Sequence, residues 1–236
     1  MLNQDILSFY NALDLDLTSL LHRPDLDVLN PYEDQEPEIK EAFTAFYKKY
    51  YADSNARGLI LGINPGRKGA GVTGIPFTDT KRLESFCGIA LESVKTHEPS
   101  SVFVYEVIEA YGGVEKFYAD FFIGAISPLG YVQRNEKNHW VNYNFYDEAP
   151  VEKALLPFIV EQLKNQKALC QNPRKTLVLG SGKNVKALNK INDEHDLFDE
   201  IYSVEHPRYI MQYKAKTKSV YIDKYLNALN EIAPKK

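Results

Sequence analysis

Gly58-Leu59-Ile60-Leu61 runs without interruption into Gly62-Ile63-Asn64-Pro65-Gly66, and this junction decides the fold. A short apolar run that stops at glycines has the length and composition of a buried strand. The stretch from Gly62 to Phe77 holds glycines at 62, 66, 69, 71 and 74, with prolines at 65 and 76. Glycine lets a backbone approach a ligand closely, and proline stiffens what glycine loosens. A helix is expected next, over Thr80–Glu92. Strand, rigid loop and helix in that order open an α/β unit.

The same pattern recurs downstream. Phe121–Ile126, Thr176–Leu179 and Ile201–Val204 are further apolar runs. Helices are expected over Pro37–Tyr51, Asn184–Lys190 and Ser219–Ile232, the last with Tyr221, Tyr225, Leu226 and Leu229 on its apolar face. Short apolar strands alternating with helices imply a three-layer α/β fold with a four-stranded parallel sheet. A chain of 236 residues suits a single domain, 1–236. Residues 1–50 read as a helical, acidic lead-in packed on the core: Ile6, Phe9, Tyr10 and Leu13 keep a helical spacing, broken at Pro24 and Pro31. In open parallel sheets ligands bind beyond the carboxyl ends of the strands. Gly62–Phe77, Ser127–Gly130 and Glu205–Tyr209 fall there.

Composition narrows the classes of function. With 44% apolar and 25% charged residues the chain is an ordinary soluble globular sequence. Cys87 and Cys170 stand far apart, which predicts two reduced thiols and excludes a four-cysteine iron–sulfur cluster. The start, Met1-Leu2-Asn3-Gln4-Asp5, has neither a basic nor an apolar region, and no run approaches the roughly 20 apolar residues of a membrane span. A cytoplasmic protein is therefore expected, with no membrane partner. His22, His97, His139, His195 and His206 are scattered, so no metal site is expected. The net charge of −4 speaks against nucleic acid, but its distribution does not. Residues 1–45 carry ten acids against Arg23 and Lys40, a local net of −8, leaving +4 for the rest. Arg208, Lys214, Lys216, Lys218 and Lys224 face a single acid, Asp223, in the segment 207–224. A basic patch on an acidic protein can still grip phosphates, whereas the charge of residues 1–45 should keep them off DNA. Gly180-Ser181-Gly182-Lys183 resembles part of a P-loop, but the spacing is wrong and Asn184 stands where the hydroxyl belongs. It reads as a strand-to-helix turn.

Asn64 is a polar group on a rigid mount, and Phe77 offers a flat apolar face. Together they suit a flat heterocycle; alone, the loop also reads as a glycine-rich turn with Asn64 capping its own backbone. His206 follows a strand at the same sheet edge, and Pro207 fixes the turn after it.

These residues resemble the motifs of the uracil-DNA glycosylase superfamily. Gly62-Ile63-Asn64-Pro65-Gly66 is similar to motif one of the mismatch-specific thymine/uracil branch. Thr73-Gly74-Ile75-Pro76-Phe77 is closer to the single-strand-selective monofunctional branch, where a Phe follows the Asn at the same interval. His206-Pro207 resembles motif two of that second branch, and the likeness spans about residues 58–210. The resemblance implies a four-stranded parallel sheet between helices, DNA as partner, a monomer, and removal of uracil or a related damaged base without metal or cofactor. By that resemblance Asn64 positions the attacking water and His206 hydrogen-bonds the departing base. Phe77 stacks on the flipped base, Gly66 leaves room for 5-substituents such as hydroxymethyl, and Ile63, Ser127 and Asn142 complete the base pocket. Arg208 and Tyr209 belong to the wedge that enters the duplex.

Three features depart from the family pattern. Ala125 stands where the second branch carries an Asn that reads the uracil edge, so Ser127, backbone groups or Asn142-Tyr143-Asn144 must take over, with Asn142 favoured. The usual Ser after His206-Pro207 is missing, which shortens the wedge. The acidic lead-in has no assigned counterpart. A non-catalytic nucleic-acid or nucleotide-binding module on the same fold is the alternative, and retention of both Asn64 and His206 speaks against it. No lysine occupies either motif's catalytic position, so a Schiff-base lyase step is not expected.

Overall fold

The computed structural model describes residues 1–33 and 35–235. The chain begins with α1 (Leu2–Asn11), α2 (Leu17–Leu21), β1 (Leu26–Leu29) and α3 (Pro37–Tyr50). Strand β1 corrects the all-helical reading of this segment. Pro24 and Pro31 lie just outside it, and four residues are too few to set a period that sequence inspection can detect. Next come β2 (Gly58–Gly62), α4 (Ala70–Thr73) and α5 (Thr80–Cys87). The Asp79 carboxylate caps α5 by accepting from Arg82 N–H at 2.9 Å. The helix stops at Cys87, short of the expected Glu92, because Gly88 takes a left-handed φ of 68° and closes it.

Two unforeseen helices follow, α6 (Pro99–Tyr111) and α7 (Val114–Asp120). Phe103, Val104, Tyr105, Val107 and Ile108 of α6 are all buried, so the helix lacks the one-sided apolar stripe that would reveal it. Then come β3 (Phe121–Ala125), β4 (Gly130–Arg134), β5 (Trp140–Tyr143) and α8 (Ala149–Leu169), the last unforeseen and carrying Pro157 inside it. The chain ends with β6 (Lys175–Leu179), α9 (Lys183–His195), β7 (Glu200–Val204), α10 (Pro207–Tyr213) and α11 (Lys218–Ile232).

The main sheet has the order β3-β2-β6-β7 and is parallel throughout, as the four apolar runs predict. Every residue of β2 and β3 is buried, which explains their unbroken apolar sequence. Helices flank the sheet: α11 packs on β2, β6 and β7, and α9 on β6 and β7. A side-chain amide covers the β3 border. Gln166 Oε1 accepts from Ala125 N–H at 3.0 Å, and Gln166 Nε2 donates to Ala125 O at 2.9 Å. Gly124 permits this approach, since a Cβ there would lie 2.0 Å from Gln166 Oε1. Further along the same strand the Tyr51 hydroxyl donates to Phe121 O at 3.0 Å. A second, antiparallel sheet of order β1-β4-β5 pairs Val132 with Asn142 and Tyr131 with Tyr143.

The lead-in joins the main core through aromatic side chains. Within it Tyr10 of α1 meets Phe43 and Tyr47 of α3, each with ring centroids 5.7 Å apart, and Phe46 and Tyr50 of α3 meet Tyr118 of α7, each at 5.0 Å. Cys87 and Cys170 are buried free thiols. Among the described residues no helix is long and apolar enough to cross a membrane, and no three His, Cys, Asp or Glu side chains gather as metal ligands would.

Candidate active site

A cavity of about 320 Å³ opens at the carboxyl end of β2 and β3. Its lining includes Ile63, Asn64, Gly66, Phe77, His206 and Arg208, which the two motif segments point to, and Asn142, favoured as the substitute for the missing base-reading Asn. The loop reaches the cavity because the parallel ladder continues past the strands: Ile126 N–H donates to Gly62 O and Ser127 N–H to Ile63 O, both at 2.9 Å.

Asn64 stands just beyond β2. Its Nδ2 donates to Tyr143 O of β5 at 3.4 Å, which sets the orientation of the amide. Its Oδ1 is buried, and no donor among the described residues reaches it. An unpaired buried acceptor costs about 1–3 kcal/mol, so this oxygen is available to a donor that enters the cavity.

Phe77 closes the loop with φ of +52°, a left-handed conformation that bulky residues rarely adopt. The Thr73 hydroxyl holds the segment there, donating to Thr78 O at 2.7 Å and accepting from Ile75 N–H at 3.2 Å. The Phe77 ring packs against the end of β2: a Cβ on Gly62 would stand 3.0 Å from its Cε2. Opposite, the His206 ring sits 6.1 Å away, centroid to centroid, inclined at 52°.

His206 is the N-cap of α10, and its Nδ1 accepts from Arg208 N–H at 3.1 Å. With Nδ1 engaged as an acceptor, the neutral ring carries its proton on Nε2. Burial, reinforced by the positive charge of Arg208, pushes its pKa down to about 4. The imidazole is therefore a neutral donor at physiological pH.

Asn142 projects from β5. Its Oδ1 accepts from Arg67 N–H at 3.2 Å, so its Nδ2 is the group turned toward the cavity, 3.4 Å from where a Gly66 Cβ would be. Other candidates for base reading are already engaged. The Ser127 hydroxyl is completely buried, donates to Leu129 O at 3.0 Å and pairs with the Tyr131 hydroxyl at 2.8 Å, so Ser127 does not line the cavity as expected. Gln166 occupies both backbone groups of Ala125. Asn144 lines the cavity, but its Nδ2 bonds the Asp147 carboxylate at 3.1 Å.

The segment expected to form the wedge differs from the expected loop. No loop separates His206 from a helix, because α10 begins at Pro207. Arg208 stands at the cavity, whereas Tyr209 lies outside it and pairs with Tyr213, with centroids 5.4 Å apart. The basic patch is also thinner than its count suggests. Lys218 pairs with Glu106 at 2.5 Å and Lys224 with Glu205 at 2.8 Å. Lys214 and Lys183 do share a neighbouring groove with His206 and Tyr209.

Tyr10, Tyr32 and Glu98 also line the cavity, and sequence reading missed all three. Burial and the neighbouring Asp79 raise the Glu98 pKa, with Arg208 opposing them. Tyr10 had been read only as part of a helical apolar face, and no pattern distinguishes Tyr32 or Glu98.

The family model described as the uracil DNA glycosylase superfamily matches residues 48–230. The crystal structure of wild-type Pedobacter heparinus SMUG2 is similar to this chain at 42% identity and a TM-score of 0.91, covering 98% of this chain and 97% of that one. The comparison with curated proteins finds no match. With more than half of its length matched by that model and a near-complete structural likeness to SMUG2, the chain belongs to the uracil DNA glycosylase superfamily.

Proposed function

We propose that the protein is a monofunctional DNA glycosylase that hydrolyses the N-glycosidic bond of uracil and related deaminated or oxidised bases, such as 5-hydroxymethyluracil. The observation that carries this reading is the open acceptor of Asn64 in the same cavity as a neutral His206 donor, with the Phe77 ring between strand end and histidine.

The base must leave the stack, at a cost of a few kcal/mol. Stacking on Phe77 offsets about 1–3 kcal/mol of that. As the glycosidic bond lengthens, negative charge gathers on the base and positive charge on the sugar. His206 donates from Nε2 to the base oxygen that takes up the charge, and a fixed donor in a dry site needs no reorganisation to do so. Asn64 Oδ1 accepts from water and holds it against the sugar. An amide is too weak a base to deprotonate water, and a strongly electrophilic sugar carbon does not require it. Among the described residues lining the cavity there is no lysine, which fits hydrolysis rather than Schiff-base chemistry.

Asn142 supports the choice of base. Because Arg67 N–H holds its oxygen, it offers the cavity a donor. A donor pairs with a carbonyl and rejects an amino group. Deamination replaces an amino group by a carbonyl, so this polarity favours deaminated bases over the intact ones. Gly66 presents no side chain to the cavity, which favours tolerance of 5-substituents.

The test is direct. Purified protein is incubated with single- and double-stranded oligonucleotides carrying uracil, 5-hydroxymethyluracil or deaminated purines, and alkali-labile sites are counted. Release of uracil is expected. Absence of strand breaks across the whole panel would overturn the reading.

A further inference from the structure

The acidic lead-in, expected to stay clear of the ligand, supplies part of the cavity wall. Tyr10 comes from α1 and Tyr32 from the turn after β1. Cavity residues of the glycine-rich loop on this side, Gly66 and Ala70, carry almost no side chain. What stands behind that loop also comes from the lead-in, from the end of β1 and from α3. Leu29 Cδ2 lies 2.8 Å from where a Gly71 Cβ would be, and Phe43 Cδ2 lies 2.9 Å from the same point on Gly74. Tyr32 packs within this group, 5.6 Å from Phe43 between ring centroids.

Tyr32 is held firmly. Its ring stacks on Tyr10 at 4.4 Å with 28° between the planes, and Tyr10 is only 1% exposed. Its backbone N–H donates to Asn30 Oδ1 at 3.0 Å, while Asn30 Nδ2 donates to Leu13 O at 3.1 Å. The turn is thus tied to Leu13, two residues beyond α1. A close-packed aromatic pair with an anchored backbone cannot retreat from a larger ligand.

We propose that Tyr32, anchored by Asn30 and backed by Tyr10, is the wall that limits the size of the base the cavity admits. The occupant is a flipped nucleobase, so this assignment rests on the glycosylase reading. It adds that the discrimination on size is made by the N-terminal segment and not by the motif loop, whose Gly66 presents no side chain.

The measurement is the ratio of kcat/KM for 5-hydroxymethyluracil to that for uracil, in one oligonucleotide sequence. A hydrophobic pocket distinguishes one methylene-sized group by about 10- to 200-fold. Tyr32→Ala should raise the ratio at least about tenfold. Tyr32→Phe, which keeps the ring, should hold the wild-type ratio. Asn30→Ala, which frees the turn, should raise it by less than Tyr32→Ala does. Tyr32→Trp, which narrows the cavity, should lower it, and this variant carries the test if Tyr32→Ala does not fold. An unchanged ratio in folded Tyr32→Ala or Tyr32→Trp overturns the assignment. Should the wild type release no base of the full panel, deaminated purines included, the glycosylase reading fails separately. The wall is then judged by calorimetric binding of free uracil and free 5-hydroxymethyluracil, whose affinity ratio must shift in the same directions.

Discussion

Two glycine-rich turns leave neighbouring strands at the same end of the main sheet, and each leads to an asparagine. After β6, Asn184 is saturated: Nδ2 donates to Leu179 O at 3.0 Å and Oδ1 accepts from the Tyr146 hydroxyl at 2.6 Å. After β2, Asn64 is anchored through Nδ2 alone, and its Oδ1 meets no donor among the described residues. The strand-end position and glycine content are alike; the partners brought in by other elements differ. Tyr146 completes the first asparagine, whereas β5 offers the second only a backbone carbonyl. One asparagine has both ends of its amide engaged, and the other keeps its acceptor open, as the proposed reaction requires.

Mutating the two asparagines in parallel is the sharpest way to break this comparison. Asn64→Ala should lower single-turnover base release by at least about 100-fold, the scale on which misplacing a reactant acts. DNA binding, read by fluorescence anisotropy, should remain close to wild type. A proportional loss of binding would make Asn64 another structural cap. Asn184→Ala should do the opposite. It strands Leu179 O and the Tyr146 hydroxyl, costing about 1–3 kcal/mol of stability. A thermal melt should fall by about 2–4 °C per kcal/mol, with the rate of base release nearly preserved. A catalytic defect without loss of stability would show that the β6 turn also serves the reaction.

The smallest expected effect concerns pH. The His206 pKa is lowered, mainly by burial and then by Arg208, to about 4. Its neutral form therefore persists through the weakly acidic range, and the acid limb due to this group should fall near pH 4. Arg208→Gln removes the second cause and leaves burial, so that limb should move partway toward the ordinary histidine value of about 6.5. The same shift bears on stability. The unfolded chain binds this proton more readily, so the contribution of neutral His206 is present above pH 6.5 and fades as pH falls toward 4. An acid limb that does not move in Arg208→Gln would show that another group controls it.

Much of this arrangement was legible in the residues themselves. Strands β2 and β3 are apolar throughout because burial leaves no polar face, β6 is apolar from Leu177 to Leu179, and β7, at the sheet border, keeps only a short apolar run with Val204 buried; those runs are visible without any structure. Asn64, Phe77 and His206 could be found because strand ends and glycines locate them. Asn142 could be suggested only by elimination, since its polarity depends on Arg67 N–H, far away in sequence. Ser127 looked available because a hydroxyl in the right stretch does not reveal that Leu129 and Tyr131 engage it. Tyr32 was hidden for a different reason. Net charge describes the surface of the lead-in, while the contribution to the cavity comes from its apolar side. Helix α6 escaped because a helix enclosed by neighbours loses the periodic contrast that marks a half-exposed one.

The amide of Gln166 has a consequence beyond the cavity. An outermost strand offers a row of free donors and acceptors on which any extended peptide, including another copy of the same chain, can assemble. On β3 the glutamine answers the polar groups of Ala125 as an adjoining strand would, and Tyr51 answers the carbonyl of Phe121. At both ends of β3 side chains thus stand in for a fifth strand, and an incoming peptide would have to displace them to pair there.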